Sequence, residues 1–429
     1  MNLDNPVTVP IESRYYRFYV FLFYGVCALV GTYIFFSPFP YTTSLINISF
    51  YLAIAIALVL ILLKAIPAVI MTPLTIPFTL FFLWSCLSLI WALNFENTLN
   101  DVRSHLLNHL ILFLLLINFF NSKNRLNLLV WIVVVSAAVF SLVGMFYFYV
   151  ILGNPITEIR LGGFLADGSH VWTELSVDIL GTLTIPAMFF CFYLYRRGAR
   201  LITQLFLIIS AGIIFIATIL TQCRGTLVAL VLTGIVFLFI KNKKLLPLFS
   251  VGIILVIVFS PYKNRIDTFN LFERAKINYV YLQVVKDYPL GGIGFGMRTY
   301  NENLDNRAYM NKAPEKLRPS FLTIGPHSWL VDILVRTGII GLSFFLLILF
   351  AFLKMSWQVI KNPRDSMIRD MGVYVSLAFL SYFIVGLAEP VFWASASAMM
   401  FYIFAAMMTA LWLLNRAEAP QLDHGDAVR

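Results

Sequence analysis

The chain has 429 residues, of which 60% are hydrophobic and only 12% are charged, and its mean hydropathy is +0.85. Soluble domains contain about 25% charged residues, so this composition excludes a soluble globular enzyme, and the high apolar content also excludes a disordered chain. The net charge of +10 does not indicate nucleic-acid binding, because basic residues of membrane proteins collect in their cytoplasmic loops. The composition predicts an all-α polytopic membrane protein with about 12 transmembrane helices of about 20 apolar residues each.

Apolar runs predict where these helices lie. Residues 1–260 contain the first nine, at 17–37, 44–63, 74–93, 106–120, 126–152, 173–195, 201–221, 225–240 and 245–260. A large loop over 261–328 follows, and the last three helices, at 329–353, 371–392 and 394–414, precede a short tail over 415–429. The first run is too long for a signal peptide and lacks a small-residue cleavage site, so it is predicted to be a membrane helix.

Basic residues are unevenly distributed over the links between these runs, which predicts the orientation of the chain. With the amino terminus inside, the short outer links hold only Arg103, Arg160 and Arg224. The inner links hold many more: Lys64, Lys123, Arg125, Arg196, Arg197, Arg200, Lys241, Lys243, Lys244, Lys354, Lys361, Arg364 and Arg369. Because Lys and Arg favour the cytoplasmic side of short loops, both ends of the chain are predicted to be cytoplasmic.

The 261–328 loop is predicted to lie outside and to be ordered. Its ten Lys and Arg residues against six Asp and Glu do not contradict that side, because loops this long cross the membrane largely regardless of charge. Loops longer than about 12–15 residues are usually functional or disordered. A helix-compatible stretch at Leu271–Val285 and a glycine cluster favour an ordered, functional loop.

The glycine cluster runs from Tyr288 to Gly296 as YPLGGIGFG. Four glycines in six residues permit a tight turn whose backbone other groups can approach closely. A dinucleotide-binding fingerprint would need a glycine where Met297 stands and a preceding strand, so that interpretation fails. A structural turn without chemistry remains an equal alternative to a functional one.

A single histidine, His327, stands where the loop meets the tenth predicted helix. Histidine suits proton transfer near neutral pH, so His327 is a candidate general base, although a lone interfacial histidine is more often bonded to a backbone carbonyl. Asp332 and Arg336 follow, four residues apart on one helix face, and are predicted to pair with each other.

Two arginines are candidates for binding a phosphorylated ligand, because guanidinium groups bind phosphate through two parallel N–H donors. Arg224 lies in Thr221-Gln222-Cys223-Arg224-Gly225-Thr226 between two apolar runs, where it could equally reach lipid headgroups. The alternative for Arg274, in the loop, is a solvated charge or an ion pair with a nearby carboxylate.

These segments, taken in order, resemble the O-antigen ligase and polymerase family of bacterial surface-polysaccharide enzymes. The resemblance covers the second half of the chain, through Cys223-Arg224-Gly225, Leu271-Phe272-Glu273-Arg274, Pro289–Gly296, Pro326-His327-Ser328 and Gly338-Ile339-Ile340-Gly341-Leu342. The family commonly has Ser or Thr where Cys223 stands and Asn where Ser328 stands.

The resemblance implies a membrane glycosyltransferase of the bacterial inner membrane whose active site faces the periplasm. An O-antigen ligase of this kind moves a glycan from undecaprenyl diphosphate to the lipid A–core oligosaccharide, with inversion and without a metal or other cofactor. On this basis we expect His327 to be the general base and Arg224 and Arg274 to bind the diphosphate. Arg298, Asp332 and Glu389 are auxiliary candidates, and membrane lipids, but not nucleic acid, are expected partners.

Other functions remain open. Polymerases of the same family join repeat units, and O-linked protein oligosaccharyltransferases use a protein hydroxyl as the acceptor; the short cytoplasmic tail argues against the latter. A secondary transporter is the alternative from another class, with Asp178 and Glu389 as candidate ionisable groups. A purely binding role in assembling other polysaccharide enzymes is a third possibility.

Overall fold

The computed structural model describes residue 7 and residues 14–156, 160–162, 180–195, 200–259, 271–322 and 325–417. These residues form helices, turns and loops, and none of them lies in a strand. The helices are α1 Tyr16–Phe36, α2 Thr43–Leu62, α3 Thr75–Ile90, α4 Phe95–Phe119, α5 Lys123–Ile151, α6 Gly181–Tyr195, α7 Leu201–Leu220, α8 Arg224–Lys241, α9 Leu246–Phe259, α10 Leu271–Asp287, α11 Thr299–Glu302, α12 Asn306–Lys312, α13 Trp329–Lys361, α14 Ser366–Ala388 and α15 Ser395–Ala417. The predicted all-α class is confirmed.

Nine of the described helices are long and apolar enough to cross a membrane, which makes the protein a multi-pass membrane protein. The other three predicted spans correspond to α3, α6 and α9, which have fewer than 18 residues in the described part of the chain. The count of twelve therefore stays a prediction. The sixth predicted span begins with residues 173–179, which lie outside the described residues. The candidate Asp178 is one of these residues.

One predicted boundary is wrong by eleven residues, because α4 begins at Phe95 and not at residue 106. Asn94 caps it by accepting a hydrogen bond from the backbone N–H of Asn97, and its Val102–Leu107 segment is a π-helical turn. Arg103, predicted in an outer link, lies in this turn. The predicted loop helix is confirmed as α10, which extends to Asp287.

The bundle is organised around α15, which is almost entirely buried and packs against α4, α13 and α14. α6 packs against α7 and α14, and α9 packs against α8. An ion pair of 2.6 Å between Lys123 and Asp365 joins the start of α5 to the cap of α14 at the end of the bundle opposite the loop. The starts of α8, α13 and α15 and the end of α14 meet the loop at the other end.

The glycine cluster joins the loop to the bundle. The backbone N–H groups of Ile293 and Gly294 donate to the carbonyls of Val335 and Arg336 in α13, at 3.0 and 3.1 Å. α13 is broken at Gly338, whose φ of +67° is in the left-handed region, and the next N–H, of Ile339, donates to the carbonyl of Pro289. The cluster is therefore a structural turn. It fits into the break at Gly338 in α13, the helix that follows His327.

Candidate functional site

Three segments that are far apart in the sequence meet around the carboxylate of Glu389. This residue ends α14, and its side chain is only 4% exposed. Its Oε1 atom forms an ion pair with Nη2 of Arg274, and its Oε2 atom lies 3.0 Å from Nδ1 of His327. One buried carboxylate thus connects two of the predicted site residues.

The contact fixes the tautomer of His327. A carboxylate accepts hydrogen bonds and does not donate them, so Nδ1 carries the proton. In the neutral imidazole the other ring nitrogen, Nε2, then has a free lone pair and can accept a proton. The His327 side chain is 21% exposed, so this arrangement is suited to general base chemistry at a group that reaches the site from outside.

α10 presents one face to the site. Arg274, Asn278 and Tyr281 occupy positions i, i+4 and i+7, which lie on the same side of a helix. Arg274 donates through Nη1 to the carbonyl of Ala388 at 3.2 Å, and Asn278 donates to the carbonyl of His327 at 3.4 Å. The hydroxyl of Tyr281 accepts from the backbone N–H of residue 325 at 2.8 Å. This helix therefore holds both segments that carry the site.

The charges of these α10 residues are set by their neighbours. Burial raises the pKa of Tyr281 to about 12, so it remains a neutral hydroxyl. The pKa of Glu273 is lowered, first by the hydrogen bond from Lys276 and then by the backbone N–H of Ser320. The carboxylate of Glu273 therefore stays ionised and ties the 320 segment of the loop to the start of α10.

Arg274 forms an ion pair with a carboxylate of the protein, which is one of the two alternatives given for this residue in the sequence analysis. Two of its five N–H donors are directed at Glu389 and Ala388, and within the described part of the chain the other three have no protein acceptor and could bind another ligand. The side chain is 30% exposed, which leaves the guanidinium accessible from the loop side.

Arg224 is the first residue of α8 and lies close to this cluster. A Cβ atom built on the next residue, Gly225, would be 3.7 Å from Nη1 of Arg274 and 3.4 Å from Cβ of Ala388. Gln222, two residues before Arg224, has a left-handed backbone with φ of +50°, which is uncommon for a residue other than glycine. The start of α8, where the helix dipole is positive, thus lies beside Arg274.

The structure does not bring the other two auxiliary candidates into this cluster. Asp332 is fully buried and pairs with Arg336 at 3.1 Å, which confirms the predicted pair, and it also accepts from the hydroxyl of Tyr300 at 3.0 Å. Arg298 is exposed, and its backbone N–H donates to Asn97 at the start of α4. Asp332 therefore belongs to the core beneath the loop, and Arg298 to its surface.

The glycine cluster is not available as a phosphate cradle. Its N–H groups at residues 292, 293, 294 and 296 donate to protein oxygens, as do those of Met297 and Arg298 just after it. The acceptors of the last two are the side chains of Asp101 and Asn97 in α4, at 2.7 Å each. The turn is therefore bound to the bundle on both sides.

Sequence reasoning missed Asn278 and Tyr281, and gave Glu389 only an auxiliary place. The spacing of Asn278 and Tyr281 from Arg274 was the signal that could have identified them, because it places all three on one helix face. No local pattern indicates the partners of Glu389, because they lie 62 and 115 positions away in the chain. Within the described part of the chain, no three His, Cys, Asp or Glu side chains are grouped as metal ligands.

Comparison with known proteins supports the resemblance seen in the sequence. A family model described as O-antigen ligase matches residues 209–346, which include Arg224, Arg274 and His327. A Rickettsia prowazekii (strain Madrid E) protein, provisionally named a polysaccharide ligase, is 32% identical over 105 residues. This alignment spans about a quarter of each chain, 24% in both cases. The predicted similarity to the O-antigen ligase family is confirmed.

Proposed function

The chain carries an O-antigen ligase family segment in a multi-pass membrane protein, and on that premise we propose that it is a membrane glycosyltransferase of the O-antigen ligase type. The proposed donor is a glycan on undecaprenyl diphosphate, and the proposed acceptor is the lipid A–core oligosaccharide. The observation that carries the proposal is the contact of His327 and Arg274 with the two oxygens of Glu389. It supports the proposal because a side chain that can accept a proton beside a cation would serve transfer from a diphosphate.

In the proposed reaction, Nε2 of His327 takes the proton from one acceptor hydroxyl. The acceptor oxygen then forms a bond to the anomeric carbon of the donor sugar, while the bond from that carbon to the diphosphate oxygen breaks. Attack from the face opposite the leaving group inverts the anomeric configuration. Glu389 stabilises the resulting imidazolium and keeps the ring in its orientation, as a carboxylate does for the histidine of a hydrolase triad.

The leaving diphosphate needs positive charge. We propose that Arg224, the start of α8 and the remaining N–H donors of Arg274 provide it. A diphosphate is already a good leaving group, so these groups are proposed to be sufficient without a metal or another cofactor. Arg298 is proposed only to attract anionic lipid or core phosphates to the loop surface.

We also propose that the protein lies in the bacterial inner membrane with this site facing the periplasm. Support comes from the excess of Lys and Arg in the opposite links, which predicts that side as cytoplasmic. The site then lies at the end of the bundle where both lipid-linked substrates are exposed.

The decisive experiment is reconstitution of the purified full chain in lipid with a polyprenyl-diphosphate-linked glycan and lipid A–core. We expect the joined product to form without ATP and in the presence of a metal chelator, and His327→Ala to form little. Longer glycan chains from the donor alone would identify a polymerase, and glycan on an added protein acceptor an oligosaccharyltransferase. Movement of the intact donor across the membrane without a new glycosidic bond would identify a transporter.

A further inference from the structure

A cavity of about 380 Å³ lies beside the site, where α1 ends, α2 and α15 begin, and the π-helical turn of α4 passes. This volume is within the range of about 300–1,000 Å³ that is usual for small-molecule sites. The residues that line it include Tyr41, Asn47, Ser104, His105, Asn108 and Trp393. Neither the general base nor the arginines belong to this lining.

The lining is polar but uncharged. Among the described residues that form it, none is Asp, Glu, Lys or Arg, whereas hydroxyl, amide and aromatic side chains are frequent. Amide and hydroxyl groups both donate and accept hydrogen bonds, and aromatic rings offer flat apolar faces. This combination favours an uncharged ligand rich in hydroxyl groups and does not favour a phosphate.

Two residues of the lining have unusual surroundings. The Nδ1 atom of His105 is buried, and no hydrogen bond to it is formed by the described part of the protein. Buried ring nitrogens are normally satisfied, and because this one is closed to solvent, a ligand hydroxyl group would reach it only after the His105 ring turns. Tyr41, which also belongs to the lining, is fully exposed and has a left-handed backbone with φ of +61°.

The cavity adjoins the candidate site through one short segment. Trp393 follows Glu389 by four residues, so their Cα atoms are at most about 14 Å apart, and the turn at Val391–Trp393 shortens this span. The Trp393 ring packs next to Gly325, two residues before His327, and is stacked on Tyr300. The cavity therefore lies within the span of a few sugar units from Glu389 and its partner His327.

We infer that this cavity is a subsite for an uncharged saccharide unit of one of the two substrates, an inference that rests on the proposed function. The saccharide source is either the acceptor oligosaccharide or the donor glycan. The anionic diphosphate is held at the arginines, whereas the subsite fixes a neutral sugar and thereby orients the reacting hydroxyl or the anomeric carbon.

The test is a kinetic comparison of variants of the full chain in lipid. Asn47→Ala and Asn108→Ala each remove one hydrogen-bonding side chain, and Ser104→Trp fills the cavity. We expect the asparagine variants to raise the KM of one substrate about three- to tenfold, the effect of losing one hydrogen bond, and Ser104→Trp to raise it further. Matched controls outside the lining are Asn301→Ala and Ser44→Trp, both at exposed positions.

The two sources give different results. A rise in the KM for lipid A–core alone assigns the subsite to the acceptor, and a rise in the KM for the donor alone assigns it to the donor glycan. Unchanged KM values for both substrates in all three variants would overturn the inference. So would equal changes in the two control variants, because the effect would then not depend on the cavity.

A binding measurement separates this inference from the proposed function. Glucose and N-acetylglucosamine are added to the purified protein, with sorbitol as the reference solute, and the melting temperature is recorded. We expect a sugar to stabilise the wild-type chain more than Ser104→Trp. If this difference is found but no transfer product forms, the proposed function fails and the subsite stands. If transfer occurs and the two chains respond equally to sugar, the subsite is wrong.

Discussion

The Nδ1 atom of His327 lies 3.0 Å from Oε2 of Glu389, although the two residues are 62 positions apart in the chain. The same carboxylate pairs through its other oxygen with Arg274, which belongs to a helix of the loop. A residue placed at the end of α14 thus joins a proton acceptor to a cation.

We expect His327→Ala to lower kcat for glycan transfer about 10²–10⁴-fold, the usual effect of removing a positioned general base. Glu389→Gln should also lower kcat, because the amide cannot stabilise an imidazolium by its charge. The double variant should be no slower than His327→Ala, since both residues act in one step. Single-turnover measurements on folded protein would check this, and multiplicative losses in the double variant would separate the two roles.

Arg224→Lys and Arg274→Lys should both reduce transfer, and the alanine variants should reduce it further. Lysine keeps the charge but loses the two parallel donors, whereas a side chain that only reaches lipid headgroups would be replaced by lysine without loss. Initial rates at several donor concentrations separate effects on KM from effects on kcat. Full activity of both lysine variants would contradict binding of the diphosphate through two donors.

Arg103 is the matched control for these arginines. It is exposed, and its side chain donates to the hydroxyl of Tyr51 over 3.5 Å, away from the cluster. Arg103→Ala should therefore leave the rate unchanged, and an equal loss would show that the assay reports insertion into the membrane. Judged from the sequence, Arg160 would be an equally good control. It is unsuitable because its side chain donates to the carbonyl of Thr221 at 2.9 Å, close to Arg224.

The attachment of the loop should depend on pH through Glu273. Its pKa is lowered from 4.5, so its contribution to stability is present above pH 4.5 and is lost as the pH falls through the lowered value. The amide protection factor of Ser320, which donates to this carboxylate at 2.7 Å, should therefore decrease at acidic pH. Glu273→Gln should remove that dependence. An unchanged pH profile in this variant would assign the effect to another group.

Asp332→Asn should destabilise the protein without acting on the chemistry. Breaking a fully buried ion pair costs roughly 3–5 kcal/mol, because Arg336 would be left without its countercharge. The melting temperature should fall clearly, whereas the kcat of the fraction that stays folded should change little. Asp287→Asn, which breaks an exposed pair with Lys312, is the control and should hardly change it. A loss of kcat in fully folded Asp332→Asn would instead assign Asp332 to the reaction.

The predicted orientation can be tested by labelling cysteines. Lys316→Cys lies on an exposed part of the loop and should react with a membrane-impermeant thiol reagent in cells with a permeabilised outer membrane. Asn242→Cys, in the link between α8 and α9, should not react until the inner membrane is opened. The unsubstituted chain gives the background from its four cysteines. The reverse pattern would place the site in the cytoplasm.

Much of the fold could be predicted because its signals are local. An apolar run long enough to cross a bilayer must be helical, since the bilayer offers no partners for backbone groups. The Asp332–Arg336 pair could be predicted because i,i+4 side chains are neighbours on any helix. The order along the chain of the segments that carry Arg224, Arg274 and His327 was likewise sufficient to identify the resemblance to the O-antigen ligase family.

The beginning of α4 could not be predicted in this way. Asn97, Asp101 and Arg103 interrupt the apolar pattern there, so hydropathy starts the helix at residue 106. Asn97 and Asp101 are nevertheless buried, because they accept hydrogen bonds from the backbone at residues 297 and 298 in the loop. Polar residues can be buried when they have such partners, and those partners are about 200 positions away in the chain.

The sequence by itself determined that this is a helical membrane protein with one large loop and which arginines and histidine are candidates for its chemistry. Only the tertiary structure decided that Glu389 connects Arg274 to His327, that Asp332 belongs to the core, and that the glycine cluster fits into the break of α13. Hydropathy and residue spacing predict only contacts between residues that lie within a few helical turns of each other in the chain. The bridge at Glu389 depends on how the end of α14 packs against α10 and the segment before α13, which no local pattern contains.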